Sequence, residues 1–82
     1  LPARLGGPFQ VIAANIVADV IIALAPRIRR LLAPDGVLVA SGIILPRRDE
    51  VTAALEAQGL FAVEVLEQDG WCALYCTVKE RA

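Results

Sequence analysis

Between positions 9 and 14 the apolar residues run almost without alternation, with Phe9, Val11, Ile12, Ala13 and Ala14 broken only by Gln10. That is the pattern of a strand covered on both faces in a parallel sheet. From Ile16 the period becomes helical: Ile16, Val20, Ile21, Leu24, Ile28, Leu31 and Leu32 recur three and four apart and predict one amphipathic helix. Asp19 suits its positive end, and Arg27, Arg29 and Arg30 its last turns. Pro26 interrupts the stripe. It lacks a donor and its ring meets the carbonyl of Ile22, so a kink or a break into two short helices is expected near Ala25.

Ala33-Pro34-Asp35-Gly36 is a turn signal that should end the helix and lead into Val37-Leu38-Val39-Ala40, a second buried strand closing at Ser41-Gly42. Pro46 fits the first turn of a second helix, with Asp49 and Glu50 near its start, Val51, Ala54 and Leu55 on its inner side and Gly59 as the stop. After it Phe61, Val63 and Val65 alternate with Ala62, Glu64 and Leu66, and Gln68-Asp69-Gly70 makes a tight turn. The last strand, 71–78, places Cys72, Leu74, Cys76 and Val78 on one face and Trp71, Ala73, Tyr75 and Thr77 on the other. Both faces are largely apolar, which puts this strand inside the sheet. The order strand, helix, strand, helix, hairpin is an α/β fold, with a right-handed crossover between the first two strands. Residues 1–8, with two Pro and two Gly, read as a loop or frayed terminus.

Composition changes this picture in one respect. An 82-residue domain buries only about 60% of its unfolded surface, yet 57% of this chain is hydrophobic, so it reads as part of a larger domain. A net charge of −1 with scattered Lys and Arg offers no basic face for nucleic acid. Asn15, Asp19 and the arginines interrupt every apolar run short of a membrane span, and positions 1–8 do not resemble a signal peptide, so a cytoplasmic location is expected. Cys72 and Cys76, four apart on one strand, should lie roughly 13 Å apart, too far for a disulfide, and read as buried thiols. With two Cys and no His, a zinc site lacks its usual ligands.

The chemistry should sit where ligands bind in open α/β sheets, outside the carboxyl ends of the strands. Asn15 lies there, at the junction of the first strand and helix. Asn is also a frequent helix cap, which gives it a second possible role. Ser41 and Gly42 end the second strand on the same rim and are candidates to line a substrate or cofactor cleft. Trp71 reads as an apolar side chain packing beside the hairpin turn, and the arginine group as a solvated helix end.

Asn15-Ile16-x-Ala18, Leu24-Ala25-Pro26, Leu31-Leu32-x-Pro34-x-Gly36, Ser41-Gly42-Ile43, Gly59 and Trp71, in this order and spacing, resemble the C-terminal segment of the enzymes that methylate ribosomal protein eleven of the large subunit. Those are class I S-adenosylmethionine-dependent methyltransferases. The resemblance implies the C-terminal half of a Rossmann-like methyltransferase sheet, with residues 1–82 forming a partial catalytic domain. It implies methyl transfer from S-adenosylmethionine to the N-terminal α-amine and lysines of the ribosomal protein, with Asn15 beside the transferable methyl and Ile16 shaping the same wall. The Gly-rich loop and acidic residue that hold the cofactor in this class are absent from the chain. Gly6-Gly7 and Gly42 lack the spacing of a G-x-G-x-x-G loop. The isolated chain should therefore be inactive. A non-catalytic association module, dimerising through the exposed 9–14 strand, is the alternative from another class. A Rossmann half of an oxidoreductase suits the terminal hairpin less well.

Overall fold

The computed structural model describes residues 8–78. The expectations for positions 1–7, including Gly6-Gly7, lie outside them. Strand β1 (Phe9–Asn15) leads to helix α1 (Ala18–Leu31), strand β2 (Leu32–Ile44), a 3-10 turn (Leu45–Arg47), helix α2 (Arg48–Glu56) and the hairpin β3 (Phe61–Gln68) and β4 (Trp71–Thr77). The four strands form one sheet in the order β1-β2-β4-β3. β1 and β2 run parallel, with α1 as their crossover, and the pairs β2–β4 and β4–β3 are antiparallel. The last strand is interior, as its two apolar faces require.

Both helices pack into one core with the sheet. Ala18, Ile21, Ala25 and Ile28 of α1 and Val51 and Leu55 of α2 meet Leu38, Ala40 and Ile43 of β2 and Cys72, Leu74 and Cys76 of β4. The opposite face carries the alternate residues, among them the half-buried Val37, Val39, Ala73 and Tyr75 and the exposed Val11 and Ala13. The expectation that β1 is covered on both faces is thus corrected: β1 ends the sheet, its far edge has no neighbouring strand among the described residues, and Val11 is 64% exposed.

The helical pattern also shifts. α1 starts at Ala18 rather than Ile16, because the β-branched pair Ile16 and Val17 stays extended, with Val17 as the N-cap at φ −65°, ψ 156°. The buried face is centred on 21, 25 and 28, which leaves Val20, a step of about 100° from Ile21, 41% exposed. Pro26 lies inside α1, which continues through it as one helix instead of breaking into two.

Residues 33–36 do not separate helix from strand. Leu32 is already extended and pairs with Phe9, while the next pair is Val11 with Val37, so β2 takes five steps where β1 takes two. The excess is a bulge inside β2. Pro34, with no N–H to give a ladder, falls within it. Gly36 is obligatory there, since a Cβ would lie 2.9 Å from both Leu32 Cδ1 and the Phe9 carbonyl oxygen.

Downstream, Pro46 sits in the 3-10 turn that precedes α2. α2 stops in a Schellman arrangement: Leu60 N–H donates to the Leu55 carbonyl at 2.9 Å and Gly59 N–H to the Glu56 carbonyl at 2.9 Å, with Gly59 at φ +79°. Asp69 and Gly70, at φ +53° and +83°, close the hairpin as the tight turn expected from its sequence.

Candidate functional site

The parallel pairing of β1 and β2 stops with Asn15 opposite Ser41, but β2 itself runs on to Ile44 against β4, so the expectation that the second strand closes at Ser41-Gly42 is corrected. Immediately after this pair β2 inserts one extra residue against β4, because Ala40 pairs with Leu74 but Ile43 pairs with Cys72. The irregularity falls at Ser41-Gly42, where Gly42 adopts φ +79°. Bulges bend a strand and redirect its side chains, so the rim is locally reshaped where the first strand stops.

Gly42 turns its open side toward β1. A Cβ on it would lie 2.5 Å from Asn15 Oδ1 and 3.4 Å from both the N and O of Ile16. The Asn15 amide therefore lies over the Gly42 backbone. The structure brings together all four residues singled out from the sequence: Asn15, Ile16, Ser41 and Gly42. Asn15 is exposed, Ser41 and Gly42 are half-buried, and Ile16 packs against the edge of the core. Asn15 is not the helix cap. That position belongs to Val17, and no side chain caps α1.

A brace closes one side of the rim. Arg47 Nη2 donates to Asp19 Oδ1 at 2.7 Å and Arg47 Nε donates to Glu50 Oε1 at 2.6 Å, joining the first turns of α1 and α2. The bond from Arg47 holds the Glu50 carboxyl below its ordinary range, while Glu50 first and Asp19 second push the arginine further toward its charged form. Arg48 likewise bonds Asp49 and Glu67. Both brackets are solvent-exposed, so they orient backbone more than they stabilise it. On the other side Leu45 N–H donates to the Gly70 carbonyl at 2.8 Å, tying the hairpin tip to the end of β2.

Two clefts result, and they share Gly42 and Trp71. The larger, about 570 Å³, is lined by Ser41, Gly42 and the hairpin residues Leu66, Glu67, Gln68, Asp69, Trp71, Cys72 and Ala73. The smaller, about 120 Å³, lies over Val17, Asp19, Ile44 and Arg47. Trp71 is 52% exposed, so the expectation that it packs beside the turn is corrected. Its packing would have required a cover on the far side of the turn, where the hairpin meets solvent. Arg47 did not stand out in the sequence and Trp71 was read there as packing rather than as a rim residue, because their place follows from an antiparallel return that brings the start of β4 beside the end of β2. A lone tryptophan next to a tight turn was the available signal.

The chemistry of this group is that of neutral hydrogen-bonding atoms, an amide and a hydroxyl, on an apolar ledge. These atoms can donate and accept hydrogen bonds without placing a charge at Asn15. A dinucleotide-like glycine cradle is not among the described residues.

Residues 2–79 match the family model described as ribosomal protein L11 methyltransferase (PrmA). Curated relatives carry the name ribosomal protein L11 methyltransferase. The protein from Heliobacterium modesticaldum is 47% identical over 65 residues, covering 79% of this chain and 21% of the relative. That from Brucella abortus is 44% identical over 74 residues, covering 90% and 26%. The chain thus spans about a quarter of the length of these relatives. Among solved structures, a ribosomal protein L11 methylase from Lactobacillus delbrueckii subsp. bulgaricus superposes with a TM-score of 0.87 at 27% identity, over 95% of this chain and 40% of that one. The antibiotic-resistance methyltransferase Kmr shares the fold, with a TM-score of 0.64 at 20% identity over 94% of this chain and 53% of that one.

Proposed function

The chain belongs to the ribosomal protein L11 methyltransferase family, and on that premise we propose that residues 1–82 form the acceptor-side segment of a catalytic domain that methylates amino groups of that ribosomal protein. Its acceptors are the N-terminal α-amine and lysine side chains, and it works in the cytoplasm, where ribosomal proteins are made. The observation that carries the reading is the Asn15 amide, exposed at the carboxyl end of β1, seated on Gly42 and free of any capping duty.

Bound S-adenosylmethionine supplies an electrophilic methyl on a sulfonium. The task left to this chain is to hold a neutral amine in line with that methyl. Asn15 Oδ1 accepts a hydrogen bond from the amine N–H, which turns the nitrogen lone pair away from the amide. The amine held at Asn15 would gain the N–C bond and release a proton to water, while the S–C electron pair would stay on the cofactor's sulfur as a neutral thioether. Ile16 and the bulge at Ser41-Gly42 shape the wall against which the amine rests. At pH 7 an α-amine of pKa about 7.7 to 8.0 is neutral in roughly a tenth of molecules, and a lysine near 10.4 in fewer than about one in a thousand. Lysine transfer therefore depends on proton loss before the chemical step.

The cofactor's remaining contacts come from sequence outside these residues, so the 82-residue chain alone does not turn over. A chimera tests the reading: residues 9–78 replace the matching segment of the Heliobacterium modesticaldum relative, and methyl transfer to the ribosomal protein is read by mass spectrometry. The expected result is an active chimera in which Asn15→Ala lowers kcat by about a hundredfold, the loss that follows misplacement of a reacting group. Full activity in Asn15→Ala would return Asn15 to a structural role.

A further inference from the structure

Trp71 is the one large aromatic side chain lining the rim among the described residues, and it stands more than half exposed beside Cys72, which is 4% exposed. Trp71 and Cys72 point to opposite faces of β4, so the indole opens on the face away from the helices while the thiol enters the core. The ionisable groups lining the larger cleft are the carboxylates Glu67 and Asp69; Glu67 is paired with Arg48 just outside the lining, whereas none of the ion pairs among the described residues holds Asp69. That combination disfavours an anion and suits a cation, because the face of an indole attracts alkylammonium groups through its quadrupole. The cleft also reaches Gly42, on which the Asn15 amide lies, so its occupant is delivered next to the reacting wall.

We propose that the cleft between the Ser41-Gly42 bulge and the hairpin tip holds the acceptor's alkylammonium group, with the indole of Trp71 against it and Asp69 setting the preference for positive charge. This rests on the methyltransferase reading and extends it. The protonated amine docks at Trp71, sheds its proton to water, and moves to Asn15 as the neutral nucleophile. Trp71 thereby governs acceptor binding rather than the chemical step.

Trp71 is the only tryptophan in the sequence, so its fluorescence reports the cleft directly. The 82-residue chain is titrated with Nα-acetyl-lysine methylamide, its Nε-trimethyl form, and the uncharged Nα-acetyl-norleucine methylamide. A saturable change with the two cations, weakened by Asp69→Asn and missing with norleucine, is expected. An equal response to norleucine, or a response to adenosine alone, overturns the proposal. In the active chimera, Trp71→Leu is expected to raise KM for the ribosomal protein roughly three- to thirtyfold, the range of a cation–π contact from exposed to desolvated. The kcat stays within about twofold, and Trp71→Phe recovers most of the loss. An unchanged KM in Trp71→Leu sinks the cation site while leaving the methyltransferase reading intact. A chimera with no methylation removes that reading, and the fluorescence titration still decides the cleft.

Discussion

Gly42 answers two demands with one hydrogen in place of a side chain. Its φ of +79° lies where an L-residue is strained, and the space a Cβ would fill is taken by the Asn15 amide. Gly70, at φ +83° with nothing within 4 Å of where a Cβ would stand, faces only the first demand. Gly42→Ala is therefore expected to destabilise the chain by about 1–3 kcal/mol and Gly70→Ala by about 1 kcal/mol, measured by urea unfolding. Equal losses at the two positions would mean that Asn15 yields without resistance, and its seating on Gly42 would carry no weight. At this scale the sequence pointed to Asn15 because it lies at the switch from strand to helix and to Ile16 through the family resemblance, while Ser41-Gly42, read as the end of a strand, is a bulge inside β2. The exposure of Trp71 was not legible, since for an apolar side chain it depends on what fails to cover it.

β4 is the element on which the sheet depends, paired on both edges and facing the helices through Cys72, Leu74 and Cys76. Burial pushes the Cys76 thiol from its ordinary 9 up to about 11, with the negative charge of Glu56 adding to the effect. Between those values the folded chain keeps a proton that the unfolded chain has lost, so stability falls as pH rises from 9 toward 11. The expected loss over that window is about 1–3 kcal/mol, seen as a drop in the urea midpoint that is shallower in Cys76→Ala. A midpoint that falls equally in both would place the sensitivity elsewhere. The alternation of β4 and the tight turn before it were readable because strand faces follow a period of two. The start of α1 and the bulge at 33–36 were not. A helical period fits Ile16 as well as Ala18, and a Pro-Asp-Gly turn reads alike whether it ends a helix or loops out of a strand.

For the whole molecule the free edge of β1 is the dominant feature. Among the described residues it has no neighbouring strand at the end of a four-stranded sheet, and it is flanked by Val11 at 64% exposure and the half-covered apolar face behind it. Such an edge is a template for another strand. Sedimentation of the isolated chain is expected to show dimers or larger species growing with concentration, and Val11→Lys to reduce them; a monomer across a wide concentration range would refute this. Among the described residues no helix is long and apolar enough to cross a membrane. The sequence by itself determined the order of elements, the parallel-then-antiparallel strand plan and the position of Asn15 at the carboxyl end of β1, because hydrophobic period and turn chemistry are local and survive in the unfolded chain. Only the tertiary structure decided that β1 forms an edge, that Asn15 lies over Gly42 rather than capping a helix, and that the hairpin returns Trp71 and two carboxylates to the same rim. Those facts depend on which distant backbones approach one another, and that proximity is set by packing across the sheet.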